Sequence, residues 1–247
     1  MKVTFEMLDL DESCSFRFYQ RYVLNQGQDD IEETLPLLIN KGVQKGIEAI
    51  VLDDVNLDRA ANIAWVETGF SPDVKKDELT KLIGAAPVYH NIGIPNIYFE
   101  MPLASHADAP LLQGYIHLLV ERDHAFIDWK TTWHPFSIQK NNRMALIAWV
   151  ILQETGWANV VGSHYFLRFG RNQNDSHQFT QQEAEATRQW AYDLAMKIQR
   201  RIELAKELPA KVKELFPYKP GKRCHDCPFA LTCYKTFGVN TEILEVS

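Results

Sequence analysis

Two groups of residues in this chain are of types that do chemistry. The first is Asp128-Trp129-Lys130. In an extended strand, residues i and i+2 point to the same face, so a strand here sets a carboxylate beside an ammonium. Phe126 and Ile127 precede the pair, and charge placed in an apolar run is costly unless it is paired or binds a metal. The bland reading is a salt bridge on an edge strand. The sharper one is metal-assisted phosphodiester cleavage, in which the carboxylate holds Mg2+ or Mn2+ and the lysine orients the attacking water or steadies developing charge. The second group is Cys224-His225-Asp226-Cys227 with Cys233 after five further residues, and Cys14 far upstream. Thiols clustered so densely suit metal ligation. Zinc on four cysteines, zinc with His225 as an extra ligand, and an iron–sulfur cluster all accept this spacing.

The elements that must position these groups read as follows. Residues 12–25 place Phe16, Tyr19 and Val23 at helical spacing after Ser13, a candidate cap. A second helix is expected over 30–54, interrupted by Pro36, Gly42 and Gly46, with shorter helices over 58–68 and 75–84. The pattern then changes to strands over 96–103, 113–121 and 125–131, the last two joined by a tight turn at Arg122-Asp123-His124. A helix over 137–155, a strand over 160–168 and a long helix over 181–208 complete the order. That succession predicts an α/β core with a helical N-terminal cap. Trp133 falls in the loop after the Asp128 strand, where it is placed either to stack a base or to pack. Trp149 lies on the face of its helix that should be buried.

Composition narrows the class. With 247 residues, 46% of them hydrophobic, the chain can bury one large core or two small ones. Four cysteines are too few for a disulfide scaffold of this length, and the N-terminus is broken by charge, so a cytoplasmic protein without a signal peptide is expected. No run of about 18 apolar residues occurs, so no membrane-spanning helix is expected. The net charge of −6 argues against a protein that coats nucleic acid over its whole surface. The charge is uneven, however. Residues 1–60 hold 12 acidic and 6 basic residues, whereas 187–223 hold 10 basic and 4 acidic, among them Lys197, Arg200, Arg201, Lys219, Lys222 and Arg223. This stretch is either a solvated helix face or a surface for phosphate backbone.

Taken together, the motifs resemble the PD-(D/E)XK nucleases of the RecB-like iron–sulfur branch, represented by the AddB nuclease domain and the CRISPR-associated RecB-like exonucleases. The residues that carry the resemblance are Cys14 with Phe16-Arg17-Phe18-Tyr19 and Tyr22, the strand pair Gly114-Tyr115-Ile116-His117 and Ile127 to Thr131, and the terminal Cys224, Cys227 and Cys233. It spans about residues 12–235. It implies a restriction-endonuclease-like core, a central mixed sheet flanked by helices, in a single domain of 247 residues. In that domain a helical cap covers about 27–88, the nuclease core about 89–208, and cluster-binding segments about 12–24 and 218–235. By the same resemblance, a [4Fe-4S] cluster on the four cysteines ties the two chain ends together. Asp128 and Lys130 stand at the family's acidic and lysine positions, and Glu100 stands on the strand that carries a supporting glutamate in relatives.

Four family positions are altered. His117 stands where relatives carry the main metal-binding aspartate, Gly46 where they carry an upstream histidine, and Arg143 and Ile147 where they carry a glutamine and a tyrosine. An imidazole removes one negative charge from the site but tolerates Mn2+, and Arg143 is suited to a substrate phosphate. A different alignment would bring in His90, His106 or Asp108. The resemblance implies a metal-dependent deoxyribonuclease acting on single strands or DNA ends, alone or with a helicase, recombination or CRISPR partner protein. The alternative is a DNA-binding or complex-assembly subunit that keeps the fold but has weak chemistry.

Overall fold

The computed structural model of the protein describes residues 1–26, 34–170, 175–221, 224–225 and 227–238. Residues 30–33 of the expected second helix, together with Lys222, Arg223 and Asp226, lie outside the described residues. In chain order the first elements are β1 (Lys2–Thr4), α1 (Phe5–Ser13), α2 (Ser15–Phe18), a π-helical turn (Tyr19–Val23), α3 (Leu35–Asp53), α4 (Leu57–Glu67) and α5 (Lys76–Ala85). There follow β2 (Ile94–Pro102), β3 (Leu111–Val120), β4 (Ala125–Lys130), α6 (Asn142–Thr155), β5 (Asn159–Phe166) and β6 (Asp175–Thr180). The last elements are α7 (Gln181–Glu207), α8 (Val212–Leu215) and α9 (Ala230–Phe237). The chain divides into two compact units, 1–32 with 102–113 and 189–247, and 33–101 with 114–188.

The second unit carries the mixed sheet. β3 pairs with β2 and runs antiparallel to β4, β4 is parallel to β5, and β5 is antiparallel to β6. The turn between β3 and β4 closes on His124, which takes a left-handed conformation with φ 47°. One sheet face supplies Leu118, Val120, Trp129 and Tyr165 to a core completed by Val43, Ile47 and Val51 of α3 and Leu79 and Ile83 of α5. The second helix is therefore not interrupted. Pro36 sits in the first turn of α3, where its missing N–H costs nothing. Gly42 and Gly46 are contact points: a Cβ at Gly42 would lie 2.8 Å from the Ala64 carbonyl oxygen of α4, and one at Gly46 would run into Ile83 of α5.

Caps set the other helices of this unit. Asn56 accepts the Arg59 N–H at the start of α4, and Asn141 accepts that of Arg143 at the start of α6. α6 is buried from Met144 to Leu152 and stops at Gly156, φ 71°. Trp149 is in the core, as its helical position predicted.

The first unit joins distant segments of the chain. β1 runs parallel to the start of β3, with Val3 opposite Leu112. Thr4, not Ser13, caps the first helix, and that helix begins at Phe5, well before residue 12. Cys14 breaks the expected 12–25 helix, because its extended backbone (φ −165°) separates α1 from α2. Aromatic rings then clasp the two ends: Phe16 meets Phe237 at 4.9 Å, Tyr19 meets Phe216 at 4.7 Å, and the Phe16 N–H donates to the Pro217 carbonyl. Arg201 of α7 donates to Asp11, to Ser15 and to the Leu215 carbonyl, so this member of the basic stretch is a structural tie.

Candidate active site

β4 brings the expected pair together. Asp128 is 1% exposed and its register partner across the parallel β4–β5 ladder is His164, which is 0% exposed. Lys130 Nζ stands 2.5 Å from Asp128 Oδ2, His117 Nδ1 stands 2.7 Å from Oδ1, and His164 Nε2 is 3.6 Å from Oδ2. Burial pushes the Asp128 carboxyl up, but His117 and Lys130 outweigh it and hold the group well below the usual carboxylate range. Asp128 is thus a carboxylate at neutral pH. Burial pushes the His164 imidazole down to about 4 in spite of that carboxylate, so His164 stays neutral. Asn141 reaches His164 Nε2 at 3.3 Å and fixes its ring.

His117 is held on both sides. The Trp129 N–H donates to Nδ1 at 3.1 Å, and the Gln44 amide lies 3.0 Å from Nε2.

These side chains open on a cleft of about 530 Å3 lined by Asn40, Gln44, Asn96, Tyr115, His117, Lys130, Thr131, Thr132 and Arg143, with the Trp129 backbone at its floor. Arg143 is where the sequence placed it, beside the carboxylate. Gln44 and Asn40 were missed. They sit four apart on α3, one face of a helix, and a pair of amides among the buried Leu38, Ile39, Val43 and Ile47 was the available signal. The α3 residue that serves the site is therefore Gln44, and Gly46, expected there, is packed against α5 instead. Asn96 was also missed. It is tied to α3 through Glu48 at 2.8 Å.

Other expected residues lie elsewhere. Glu100 is exposed on β2, accepts from the Tyr98 hydroxyl at 3.3 Å, and does not line the cleft. Trp133 is 65% exposed in the loop after Lys130, with the Arg168 guanidinium 4.0 Å over its ring. Arg168 also donates to the Thr131 carbonyl at 2.6 Å and pairs with Glu78 at 2.6 Å, so it fixes the loop that lines the cleft. His106 belongs to the first unit, where it bonds Tyr192.

The residues at β4 have the chemistry of a divalent-cation site. Both Asp128 oxygens are buried and lack a well-directed hydrogen bond, so their lone pairs remain available next to the His117 nitrogen. Among the described residues no group of three or more His, Cys, Asp or Glu is placed to hold a metal. Asp128 and His117 thus fit an ion that completes its shell with water and phosphate oxygens.

The four cysteines all lie in the first unit and form no disulfide. Burial pushes the Cys233 thiol up to about 11, with further repulsion from Cys14, Cys224 and Cys227. Burial also raises Cys227, against a hydrogen bond from the Phe229 backbone and the charge of Arg17. The thiols therefore feel one another's charge.

A sequence model of the PD-(D/E)XK nuclease superfamily matches residues 3–234. No curated protein and no solved structure matches the chain.

Proposed function

The chain belongs to the PD-(D/E)XK nuclease superfamily, and we propose that it is a metal-dependent deoxyribonuclease acting on single strands or DNA ends. The observation that carries this reading is the buried Asp128 carboxylate paired on β4 with Lys130, which itself lines an open cleft. Asp128 and His117 would hold Mg2+ or Mn2+, and the ion, when bound, supplies a polarised phosphate and a water of lowered pKa. Lys130 steadies the attacking water and the charge that grows on the phosphate oxygens. Arg143 takes a non-bridging oxygen, and the amides of Asn40, Gln44 and Asn96 offer donors and acceptors to the sugar–phosphate backbone. Water adds to phosphorus and gives a proton to solvent, the bond to the leaving sugar oxygen breaks, and that oxygen departs with a proton from solvent. Trp133, its ring held by Arg168, is placed to stack a flanking base.

The first unit carries a [4Fe-4S] cluster on Cys14, Cys224, Cys227 and Cys233 in the same reading, which sets the protein in the RecB-like iron–sulfur branch. Support comes from the nearness of Cys14, Cys224 and Cys227 to Cys233, which would feel each of them as a thiolate, and from the aromatic clasp that draws their segments together. Anaerobically purified protein should be brown and contain iron and acid-labile sulfide; a colourless protein holding zinc overturns this part. A helicase, recombination or CRISPR partner protein belongs with that branch.

The test is cleavage of labelled single- and double-stranded DNA with Mn2+ or Mg2+. Wild type should cut, and Asp128→Ala and Lys130→Ala should each lower the rate about 10²-fold or more. A second reading, a DNA-binding assembly subunit, is favoured by the imidazole of His117 beside Asp128 in place of a second carboxylate. It predicts an uncut substrate, salt-sensitive binding that survives Asp128→Ala, and a gain of cleavage in His117→Asp.

A further inference from the structure

We infer that Tyr115, which lines the cleft, and Tyr98, the ring packed against it, form a nucleobase-stacking platform and make the protein selective for single-stranded DNA, an inference that rests on the nuclease reading above. The two rings stand on the paired strands β2 and β3, with centroids 5.2 Å apart and planes inclined by 56°. They are 50% and 54% exposed, so neither is a core residue. Tyr98 is oriented by its hydroxyl, which donates to Glu100. This gives Glu100 a place in the protein: it holds an aromatic ring.

Tyr115 lines the same cleft as Lys130 and Arg143. It is two residues before His117 on β3, so both project from one face about 6.8 Å apart along the strand. That interval is roughly two base-stacking rises. Because Lys130 and Tyr115 line one cleft, a strand whose scissile phosphate lies against Lys130 brings a neighbouring base towards Tyr115.

Cations for phosphates beside half-exposed aromatic rings for bases are the two components of a single-strand groove. In a duplex interior each base face is already covered by its neighbours, so only single strands and frayed ends have faces to offer. An aromatic pair that served only to brace β2 against β3 would have no preference for bases at all.

Binding without cleavage separates these cases. Anisotropy of a labelled oligothymidylate would be measured in EDTA beside an abasic oligomer of equal length and charge. Wild type should bind the base-bearing strand about tenfold more tightly. The double variant Tyr98→Ala/Tyr115→Ala should bind both oligomers alike, at the abasic level, while Tyr98→Phe/Tyr115→Phe should keep the preference. Equal binding of the two oligomers by wild type overturns the platform, as does a preference that persists in the alanine variant or vanishes in the phenylalanine variant. If wild type shows no base preference yet cuts DNA with Mn2+, the platform alone fails. If it neither binds nor cuts DNA, the nuclease reading fails with it.

Discussion

Among the described residues each unit of the molecule buries one aspartate, and the two are treated differently. Asp11, in the first unit, is 5% exposed and receives the Arg201 guanidinium at 2.5 Å; Arg201 spends its other donors on Ser15 and the Leu215 carbonyl and lies over the Phe216 ring. One of its carboxylate oxygens is satisfied and the charge joins three segments. Asp128, in the second unit, has an ammonium and an imidazole at contact distance, yet neither of its oxygens has a well-directed hydrogen bond. Architecture ties a buried charge through one guanidinium nitrogen to the segments around it. Chemistry leaves it open beside a cleft. The distinction lies in what the partners leave unused, since both carboxylates are nearly inaccessible.

The comparison can be broken most sharply by exchanging the damage. Asp128→Asn should cost about 10³-fold in cleavage rate while the protein melts near the wild-type temperature. Arg201→Met should do the reverse: it strands the Asp11 charge and should cost about 3 kcal/mol in denaturant unfolding, with the rate per folded molecule little changed. If Asp128→Asn unfolded the protein and Arg201→Met silenced it, the assignment of roles would be inverted.

The pH dependence of metal-free protein sharpens the same contrast. A free imidazole takes up its proton near 6.5, whereas folded His164 does so only at about 4. Between those values the unfolded chain binds a proton that the folded chain refuses, so stability should fall as pH drops from about 6.5 to about 4 and level off below. The loss has an upper bound of about 3 kcal/mol, and His164→Gln should flatten it in urea titrations at several pH values. A smaller effect is expected at the loop. Arg168→Lys loses the fork over Thr131 and Trp133 and should raise KM for DNA about tenfold, with Tm nearly unchanged. An unchanged KM would mean that the loop positions itself.

Strands β2 to β4, helices α4 to α7 and the Asp128–Lys130 pair were legible because their signals are local: alternation, 3.6-residue spacing and two charges on an apolar strand. β6 was missed because Asp175, Ser176, His177 and Gln178 carry almost no hydrophobic alternation; only Phe179 is buried. Gly42 and Gly46 were read as breaks because a glycine that lets a neighbouring helix approach looks the same in sequence as one that ends a helix. Gln44, Asn40 and Asn96 were invisible for another reason. An amide has no charge to be out of place, so its role emerges only when the fold sets it against His117. Glu100, read as a supporting metal ligand, carried a carboxylate of the right type on a neighbouring strand, yet it partners Tyr98 outside the cleft.

The aromatic clasp has a consequence for the order in which the protein is made. Phe16 and Tyr19 are synthesised some two hundred residues ahead of their partners Phe237 and Phe216. By then every residue of β2 to β6 has already emerged. During that interval Phe16 and Tyr19 have no native partners to cover them, and so long a loop closes only after Phe216 and Phe237 are made. The half that bears the cysteines is consequently the half most open to a chaperone, a protease or a metal donor while the chain is still growing.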